Sequence, residues 1–217
     1  MTFDIKYDFE RKKRIGLIEA IWGEDKSIDQ LKNVIKQVLE KDQLVFITRI
    51  NDNKALKLLD IYQEGQFYKD AGCLVIGNNP NKLNSNKKVA IVAGGSSDLR
   101  ASLEAKIALE IYGINCKSYI DVGVAGLHRL ISHLDEISKY DVLIVFAGME
   151  GALATVLGGL LPQPIIAVPV SVGYGVGKNG STALHSMLAS CSPGIMVMNI
   201  DNGYGAAMAA LRIIKCI

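Results

Sequence analysis

The stretch that decides the fold runs from residue 141 to residue 170, "DVLIVFAGMEGALATVLGGLLPQPIIAVPV". Two short runs without charge, "VLIVFA" and "PIIAVPV", flank "GALATVLGGLL", which has the length and composition of a helix. Strands that are apolar at every position are buried on both faces, as in parallel sheets covered by helices. The stretch therefore predicts a β-α-β unit. Its hydropathy suggests a membrane span, but Glu150, the glycines and the prolines argue against one.

The same alternation continues on both sides of this unit. Further apolar strands are predicted for "VAIVAG" (89–94), "CKSYIDV" (116–122) and "GIMVMNI" (194–200). Helical spacing predicts helices over 97–113, 126–140, 180–191 and 206–215. Residues 89–217 therefore form one predicted α/β domain with a parallel sheet, in which ligands bind beyond the carboxyl ends of the strands.

The first part of the chain has a different composition. Only five of the 21 glycines precede Val89, and charged residues are denser there. Helices over 27–41 (with Ser27 as N-cap) and 51–65, and strands over 44–50 and 71–77, predict a smaller α+β domain over residues 1–80. The polar segment 77–88 is predicted to be a linker.

Composition narrows the class of partner. The chain has 217 residues and a net charge of +2, which is no electrostatic footprint for nucleic acid or a membrane surface. The start of the chain is charged, so no secretory signal is expected. Four cysteines without CxxC or metal-ligand spacing predict a reduced, cytoplasmic protein with no metal site. The basic run 11–14 is either a solvated face or an arm over an anionic substrate.

The turn "GGSSD" (94–98) follows the first predicted strand of the larger domain. Gly94 and Gly95 let the backbone approach a ligand closely, while Ser96, Ser97 and the helix N-terminus favour an anion. Asp98 is an unusual neighbour for phosphate and would instead hold a ribose hydroxyl or a catalytic proton. The alternative is an ordinary helix cap.

Two further turns carry candidate residues. In "DVGVAGLHRL" (121–130), His128 and Arg129 could handle protons and anions together, or they could be a surface pair. In "FAGMEG" (146–151), Gly148, Met149 and Glu150 follow a fully apolar strand. A carboxyl group that is partly buried there would have a raised pKa, which suits a general base.

The remaining candidates lie near residues 171–191. The segment "GYGVGKNG" (173–180) fits a GxGxxG pattern but follows the wrong strand for a Rossmann fingerprint, so it is interpreted as a loop over a ligand. Ser171, Gly173 and Tyr174 belong to this ligand-binding region. Cys191, at the end of a predicted helix in "SMLASCSPG", is either a small buried residue or a nucleophile.

Several of these motifs together resemble known families. "GGSSD", "GLHR", "FAG" and "QPIIAVPV" are similar to the carboxylase domain of purine biosynthesis that acts on aminoimidazole ribonucleotide (AIR), called PurE. "DVGVAGLHRL", "VLIVFAGMEGAL", "IIAVPVSVGYG", "SMLASC" and "NIDNGYGAA" resemble the LarB family more closely, over about residues 89–208. The amino-terminal part resembles LarB through Arg11, Arg14, Gly16 and Glu19. Ala154, where the family commonly has proline, and the loop "GVGKNGS" depart from the family pattern.

The resemblance implies a flavodoxin-like (PurE-like) sheet with a smaller α+β amino-terminal domain, assembled as a homo-oligomer, for which the family suggests an octamer. It implies carboxylation of nicotinic acid adenine dinucleotide by CO2 or bicarbonate through a cysteinyl-pyridine adduct. Hydrolysis to AMP follows, in the synthesis of the nickel-pincer nucleotide. No covalently bound cofactor is expected, and Mg²⁺ is left open for the hydrolysis.

The residues that the resemblance and the motifs assign fall into two groups. The catalytic candidates are Cys191, Glu150, Asp98 and His128. The candidates for contact with the dinucleotide are Gly94, Gly95, Ser96, Ser97, Asp98, Arg129, Gly148, Met149, Ser171, Gly173 and Tyr174. Two alternatives stay open: an AIR carboxylase or mutase that uses His128 and no cysteine, and a nucleotide-binding module without catalysis.

Overall fold

Residues 5–78, 83 and 85–217 are described by a computed structural model. The chain divides into two units, Met1–Asn81 and Lys82–Ile217. The linker predicted over 77–88 falls partly outside the described residues, because 79–82 and 84 are not among them.

The first unit is a mixed α+β structure, as predicted. Its sheet has the order β1-β2-β4-β3, with β1 parallel to β2 and the other two pairs antiparallel. The sequence did not indicate the short strands β1 and β3. In chain order the elements are α1 (Arg11–Ile15), β1 (Ile21–Trp22), α2 (Ile28–Leu39), β2 (Val45–Thr48), α3 (Asp52–Leu59), β3 (Gln66–Tyr68) and β4 (Cys73–Ile76).

Helix α2 shows why the sequence pattern of the first unit predicted its structure. The Ser27 hydroxyl accepts the Gln30 N–H at 3.2 Å, and the Gln30 side chain accepts the Ser27 N–H at 2.8 Å, which is a capping box. The apolar residues at helical spacing lie in the core of the unit. They are Leu31, Val34, Ile35 and Val38.

The second unit is a parallel sheet with helices between its strands. The elements are β5 (Lys88–Ala93), α4 (Leu99–Ile111), β6 (Asn115–Tyr119), α5 (Leu127–Ile131), α6 (Leu134–Ile137), β7 (Val142–Ala147), α7 (Ala152–Leu160), β8 (Ile165–Pro169), α8 (Ser181–Leu188), β9 (Met196–Val197) and α9 (Gly203–Ile214). All four strand pairs are parallel. All six residues of the central strand β7 are buried, as its apolar run predicted.

The strand order of this sheet is β6-β5-β7-β8-β9. Counted within the unit, this is the order 2-1-3-4-5 of flavodoxin-like folds, so the predicted fold class is confirmed. Strand β6 pairs with one side of β5, and β7, the next strand along the chain, pairs with the other side. The strand order therefore reverses at β5. The crevice beyond the carboxyl ends of β5 and β7 is therefore the expected ligand site.

Three details of the second unit differ from the sequence prediction. The helix predicted over 126–140 is two short helices, α5 and α6. The Ser132 and Ser138 hydroxyls each donate to the carbonyl three residues earlier, at 2.8 and 3.0 Å, which competes with a continuous helix. Strand β9 has only two residues. Helix α8 ends at Leu188, so Cys191 lies in the turn beyond it and does not close the helix.

Candidate functional site

A cavity of about 460 Å³ lies at the carboxyl ends of β5, β7 and their neighbours. Its walls come from the turn after β5, the loop after β6, the turn after β7 and the segment after β8. The lining residues are 94, 95, 97, 98, 123–125, 147–150, 152, 153 and 172–174. Small-molecule sites typically enclose about 300–1,000 Å³. The cavity therefore lies where the strand order predicts a site and has the size of one.

Two glycines let the walls of the cavity approach each other. A Cβ atom on Gly123 would lie 2.6 Å from the carbonyl oxygen of Gly94, and one on Gly148 would lie 2.3 Å from that of Val172. Both separations are shorter than side chains tolerate, so each position needs glycine. The turns after neighbouring strands are thus packed backbone to backbone, which gives the ligand a preformed floor.

Asp98 is the buried carboxyl group of this floor, with only 5% of its surface exposed. Its Oδ2 accepts the Gly95 N–H at 2.9 Å. Burial raises the pKa of Asp98, hydrogen bonds from Gly95 and Gly94 lower it, and the nearby Asp201 carboxylate raises it further. Asp98 therefore has both predicted features: it caps the turn after β5 through this hydrogen bond, and it lines the cavity.

Glu150 also lines the cavity but is exposed to solvent, and the preceding Met149 has a positive φ of 51°. The partial burial that the sequence predicted for Glu150 is not found in this chain. If Glu150 moves a proton, it does so at the mouth of the cavity, in contact with water.

Some of the other candidate residues line the cavity, and the rest lie outside it. Gly94, Gly95, Ser97, Gly148, Met149, Gly173 and Tyr174 line the cavity, whereas Ser96 and Ser171 do not. His128 and Arg129 also lie outside the lining. Arg129 forms an ion pair with Asp121, and its guanidinium lies against Gly126. The pattern "LHR" lies on a helix after β6, as predicted, and the proposed roles of His128 and Arg129 stay predictions.

The segment after β8 forms the outer wall of the cavity. Tyr174 is 77% exposed and Val176 is 92% exposed, so large apolar groups project from it into solvent. Gly173 packs closely on Gly177, where a Cβ would lie 2.3 Å from the Gly177 carbonyl oxygen. The Thr182 hydroxyl donates to the Val176 carbonyl and ties the segment to α8.

Cys191 is exposed and is absent from the lining of the cavity. The turn that carries it packs on α7: the Ser190 and Thr155 hydroxyls are 2.7 Å apart, and the Ser192 side chain lies against Gly158. It precedes β9, so it lies toward the amino ends of the strands, away from the cavity of its own chain.

The other cysteines are less suited to act as nucleophiles. Cys73 is buried, and burial raises the pKa of the Cys116 thiol to about 11. Cys216 is exposed one residue before the chain ends.

Asp201 is a residue of the site that the sequence analysis did not select. It follows β9, and its Oδ1 accepts the N–H of Ser171 at 2.8 Å. The signal was an aspartate just beyond a predicted strand, in "NIDNG", comparable to Asp98 in the turn "GGSSD".

The charge of the lining is one-sided. Among the described residues that line the cavity, Asp98 and Glu150 carry carboxyl groups, and none is lysine, arginine or histidine. Most of the other lining residues are glycines and apolar side chains. Such a surface suits a flat ring that is neutral or positively charged better than it suits a free phosphate.

The described part of the chain has neither a cluster of metal-ligating side chains nor a helix that could cross a membrane. No group of three or more His, Cys, Asp or Glu side chains there could hold a metal ion. No helix among the same residues combines the length and the apolar character needed to cross a membrane. Assistance of the hydrolysis by Mg²⁺ stays a prediction.

Comparisons with known proteins agree with this geometry. The AIR carboxylase family matches residues 88–216, and the LarB/PurE-like N-terminal domain matches residues 3–78. An uncharacterized protein of Methanocaldococcus jannaschii is 39% identical, over 97% of this chain and 84% of its own length.

Solved structures resemble the second unit. PurE of Treponema denticola has a TM-score of 0.51 at 24% identity, over 60% of this chain and 82% of its own. A substituted form of Treponema denticola PurE2 has a TM-score of 0.50 at 25% identity, over 60% of this chain and 80% of its own.

A flavodoxin-like sheet with a cavity at the ends of β5 and β7 defines the second unit as a PurE-like carboxylase domain. The first unit narrows the class further, since the N-terminal domain that it matches accompanies LarB-type proteins. The chain belongs to the LarB/PurE-like carboxylase family, as a LarB-type protein with a PurE-like domain.

Proposed function

We propose that this protein carboxylates the pyridinium ring of nicotinic acid adenine dinucleotide and then hydrolyses its phosphoanhydride. The products are pyridinium-3,5-biscarboxylic acid mononucleotide and AMP, for synthesis of a nickel-pincer cofactor. The observation that carries the proposal is the cavity lining, with two carboxyl groups, apolar walls and no basic side chain among its described residues. A cationic aromatic ring is the ligand that such walls favour.

The carboxylation needs a thiolate and a proton acceptor. The Cys191 sulfur bonds to the ring carbon beside the nitrogen, and the electrons displaced neutralise the ring. The neighbouring carbon then forms a bond to CO2. A carboxylate accepts the proton from that carbon, the C–H electron pair returns to the ring, and the C–S bond breaks. One difficult step is thereby divided into easier ones. Water then cleaves the phosphoanhydride.

The position of Cys191 shapes the proposal, because the thiol lies outside the cavity of its own chain. We propose that a second copy of the chain supplies it, in the homo-oligomer that the family resemblance implies. Cys191 is flanked on the surface by exposed apolar side chains, with Leu188 65% and Met196 39% exposed. The outer wall of the cavity is likewise apolar at Tyr174 and Val176. Two such surfaces gain free energy when they cover each other.

The first experiment identifies the reaction. The full chain is incubated with nicotinic acid adenine dinucleotide and ¹³C-bicarbonate, and small molecules are analysed by mass. AMP together with a mononucleotide carrying a ¹³C-carboxylate is expected. Cys191→Ala should remain folded and form no carboxylated product, while Cys216→Ala, the other exposed thiol, should keep full activity. A carboxylated AIR and an inert dinucleotide would instead support the purine-pathway alternative, and binding without any product would support a non-catalytic module.

The second experiment tests the shared site. Cys191→Ala and Asp98→Asn chains are each expected to be inactive alone. When the two variants assemble together, the intact cavity of a Cys191→Ala chain meets the intact thiol of an Asp98→Asn chain, so activity should return. No recovery in assemblies shown by mass to contain both chains would mean that the thiol acts within its own chain.

A further inference from the structure

Asp201 is unusually constrained for a residue that the sequence did not single out. Its N–H donates to the Pro169 carbonyl at 2.9 Å, its Oδ1 accepts the Ser171 N–H at 2.8 Å, and its carbonyl accepts the Gly203 N–H at 3.1 Å. Its φ of 56° is in the left-handed region, which aspartate and asparagine tolerate better than most residues. Three backbone contacts therefore fix this carboxyl group between β8 and α9.

The segment that carries Asp201 packs on the start of α4, where Asp98 lies. Although the two residues are 103 positions apart in sequence, α9 and α4 meet here: a Cβ on Gly203 would lie 2.1 Å from the Ala101 carbonyl oxygen, and the Tyr204 N–H donates to Glu104 at 3.0 Å. Asp98 is buried in the cavity floor, where water screens a neighbouring charge weakly. Asp201 also holds Ser171, the residue just before the outer wall at 172–174.

We propose that Asp201 is a positioning residue, which acts through Asp98 and makes Asp98 the carboxylate that accepts the ring proton. Asp201 does not line the cavity and touches no reacting atom; its carboxylate acts on Asp98 from outside the cavity and holds Ser171, next to the outer wall. The base role of Asp98 rests on the proposed function, whereas the coupling of the two carboxyl groups does not.

The electrostatics agree with this geometry. The Asp201 carboxylate raises the pKa of Asp98, in the same direction as burial. A base whose pKa is nearer neutrality accepts a carbon-bound proton more readily. Further ionisable groups on the surrounding elements are Arg100, Glu104, Lys106 and Glu110 on α4, Arg212 on α9, Asp121 after β6 and Glu150 after β7.

The test is a carboxyl-carbon NMR titration of Asp98 in the full chain, without substrate. In Asp201→Asn, which keeps the shape and the tolerance of positive φ, the midpoint of Asp98 should move to lower pH. Asp42→Asn is the matched control, because Asp42 also has positive φ (54°) but is exposed in the first unit. That variant should leave the midpoint unchanged.

One outcome would overturn the proposal. An unchanged Asp98 midpoint in folded Asp201→Asn would leave Asp201 a structural residue only.

Activity then separates this proposal from the proposed function. With the dinucleotide as substrate, the acidic limb of the kcat profile of Asp201→Asn should move to lower pH together with the Asp98 midpoint. If the titrations are coupled but no carboxylation occurs in the wild type, the coupling holds and the proposed reaction fails.

Discussion

Asp98 is placed where function and stability make opposite demands. Burial raises the pKa of this carboxyl group, so its ionised form is disfavoured in the folded state. For an acid with a raised pKa, stability falls as pH rises from the unfolded pKa to the folded one. The wild-type chain is therefore destabilised at neutral pH by the charge that Asp98 needs in its proposed role as a base.

Asp98→Asn should remove this penalty. The difference in free energy of unfolding, variant minus wild type, is expected to increase from about pH 3.5 to neutral pH, where only the wild type ionises this group. Denaturant unfolding across that range measures it. Asp135→Asn, at an exposed position in α6, provides the control, and a difference that is flat or decreases with pH would contradict a raised pKa at Asp98.

Glu150, at the solvent-exposed mouth of the cavity, is suited to pass a proton between Asp98 and water. Glu150→Gln keeps the size of the side chain and removes the acceptor, so turnover should fall by about a hundredfold, with dinucleotide affinity unchanged. Because the site is open, formate or azide should restore part of the turnover in this variant, but none in Asp98→Asn. Near-normal turnover of Glu150→Gln would make this residue part of the wall only.

The sequence located single residues when their signal was local. Asp98 and Glu150 follow apolar strands, and both line the cavity. His128 and Arg129 had a similar signal but lie outside the cavity lining, where Arg129 pairs with Asp121 and His128 is exposed. Asp201 could not be placed, because it comes near Asp98 only after α9 has packed on α4.

At the scale of elements, α9 depends on a buried carboxylate from α4. Glu104 is 4% exposed, and its Oε2 accepts the Tyr204 N–H at 3.0 Å in the first turn of α9. The helices are in tight contact there, since a Cβ on Gly203 would lie 2.1 Å from the Ala101 carbonyl oxygen. A negative charge is also favourable at a helix N-terminus.

Glu104→Ala deprives the partly buried Tyr204 N–H of this acceptor and should lower the free energy of unfolding by about 1–3 kcal/mol. Glu104→Gln, which retains an acceptor, should cost less. Glu110→Ala on the same helix removes only an exposed i,i+4 pair with Lys106 and should cost under about 0.5 kcal/mol. Equal losses at 104 and 110, measured by urea unfolding, would show that the contact to α9 is not stabilising.

The elements that could be predicted are those with a complete local signal. The apolar runs of β5, β7 and β8 and the amphipathic pattern of α2 need no tertiary context. Strand β9 needed it, since only Met196 and Val197 pair with β8 before the chain turns toward Asp201. Short strands such as β1 exist only because a neighbour supplies the hydrogen bonds.

At the scale of the whole molecule, the exposed surface around Cys191 is predicted to be covered by a second copy. Leu188→Glu puts a charge on that surface, so the assembly measured by light scattering should become smaller and carboxylation should be lost. Leu56→Glu is the control, because Leu56 is comparably exposed at 58% on α3 of the first unit. An assembly of unchanged size in Leu188→Glu would move the interface elsewhere.

The proposed covalent step needs three things at once: the thiol of Cys191, the cavity at the ends of the strands and the assembly that would bring the two together. If the thiolate adds to the ring before CO2 arrives, enzyme mixed with dinucleotide under bicarbonate depletion should accumulate a protein-bound dihydropyridine. The loss of ring charge gives this species its own near-ultraviolet absorbance, and intact mass should increase by the mass of the dinucleotide. Peptide mapping should find the adduct within residues 186–194, and bicarbonate should discharge it to product. Leu188→Glu should form no adduct although its Cys191 is intact, because separated chains lack a complete site. An adduct on Cys73 or Cys216, or full turnover in Cys191→Ser, would refute covalent catalysis by this residue.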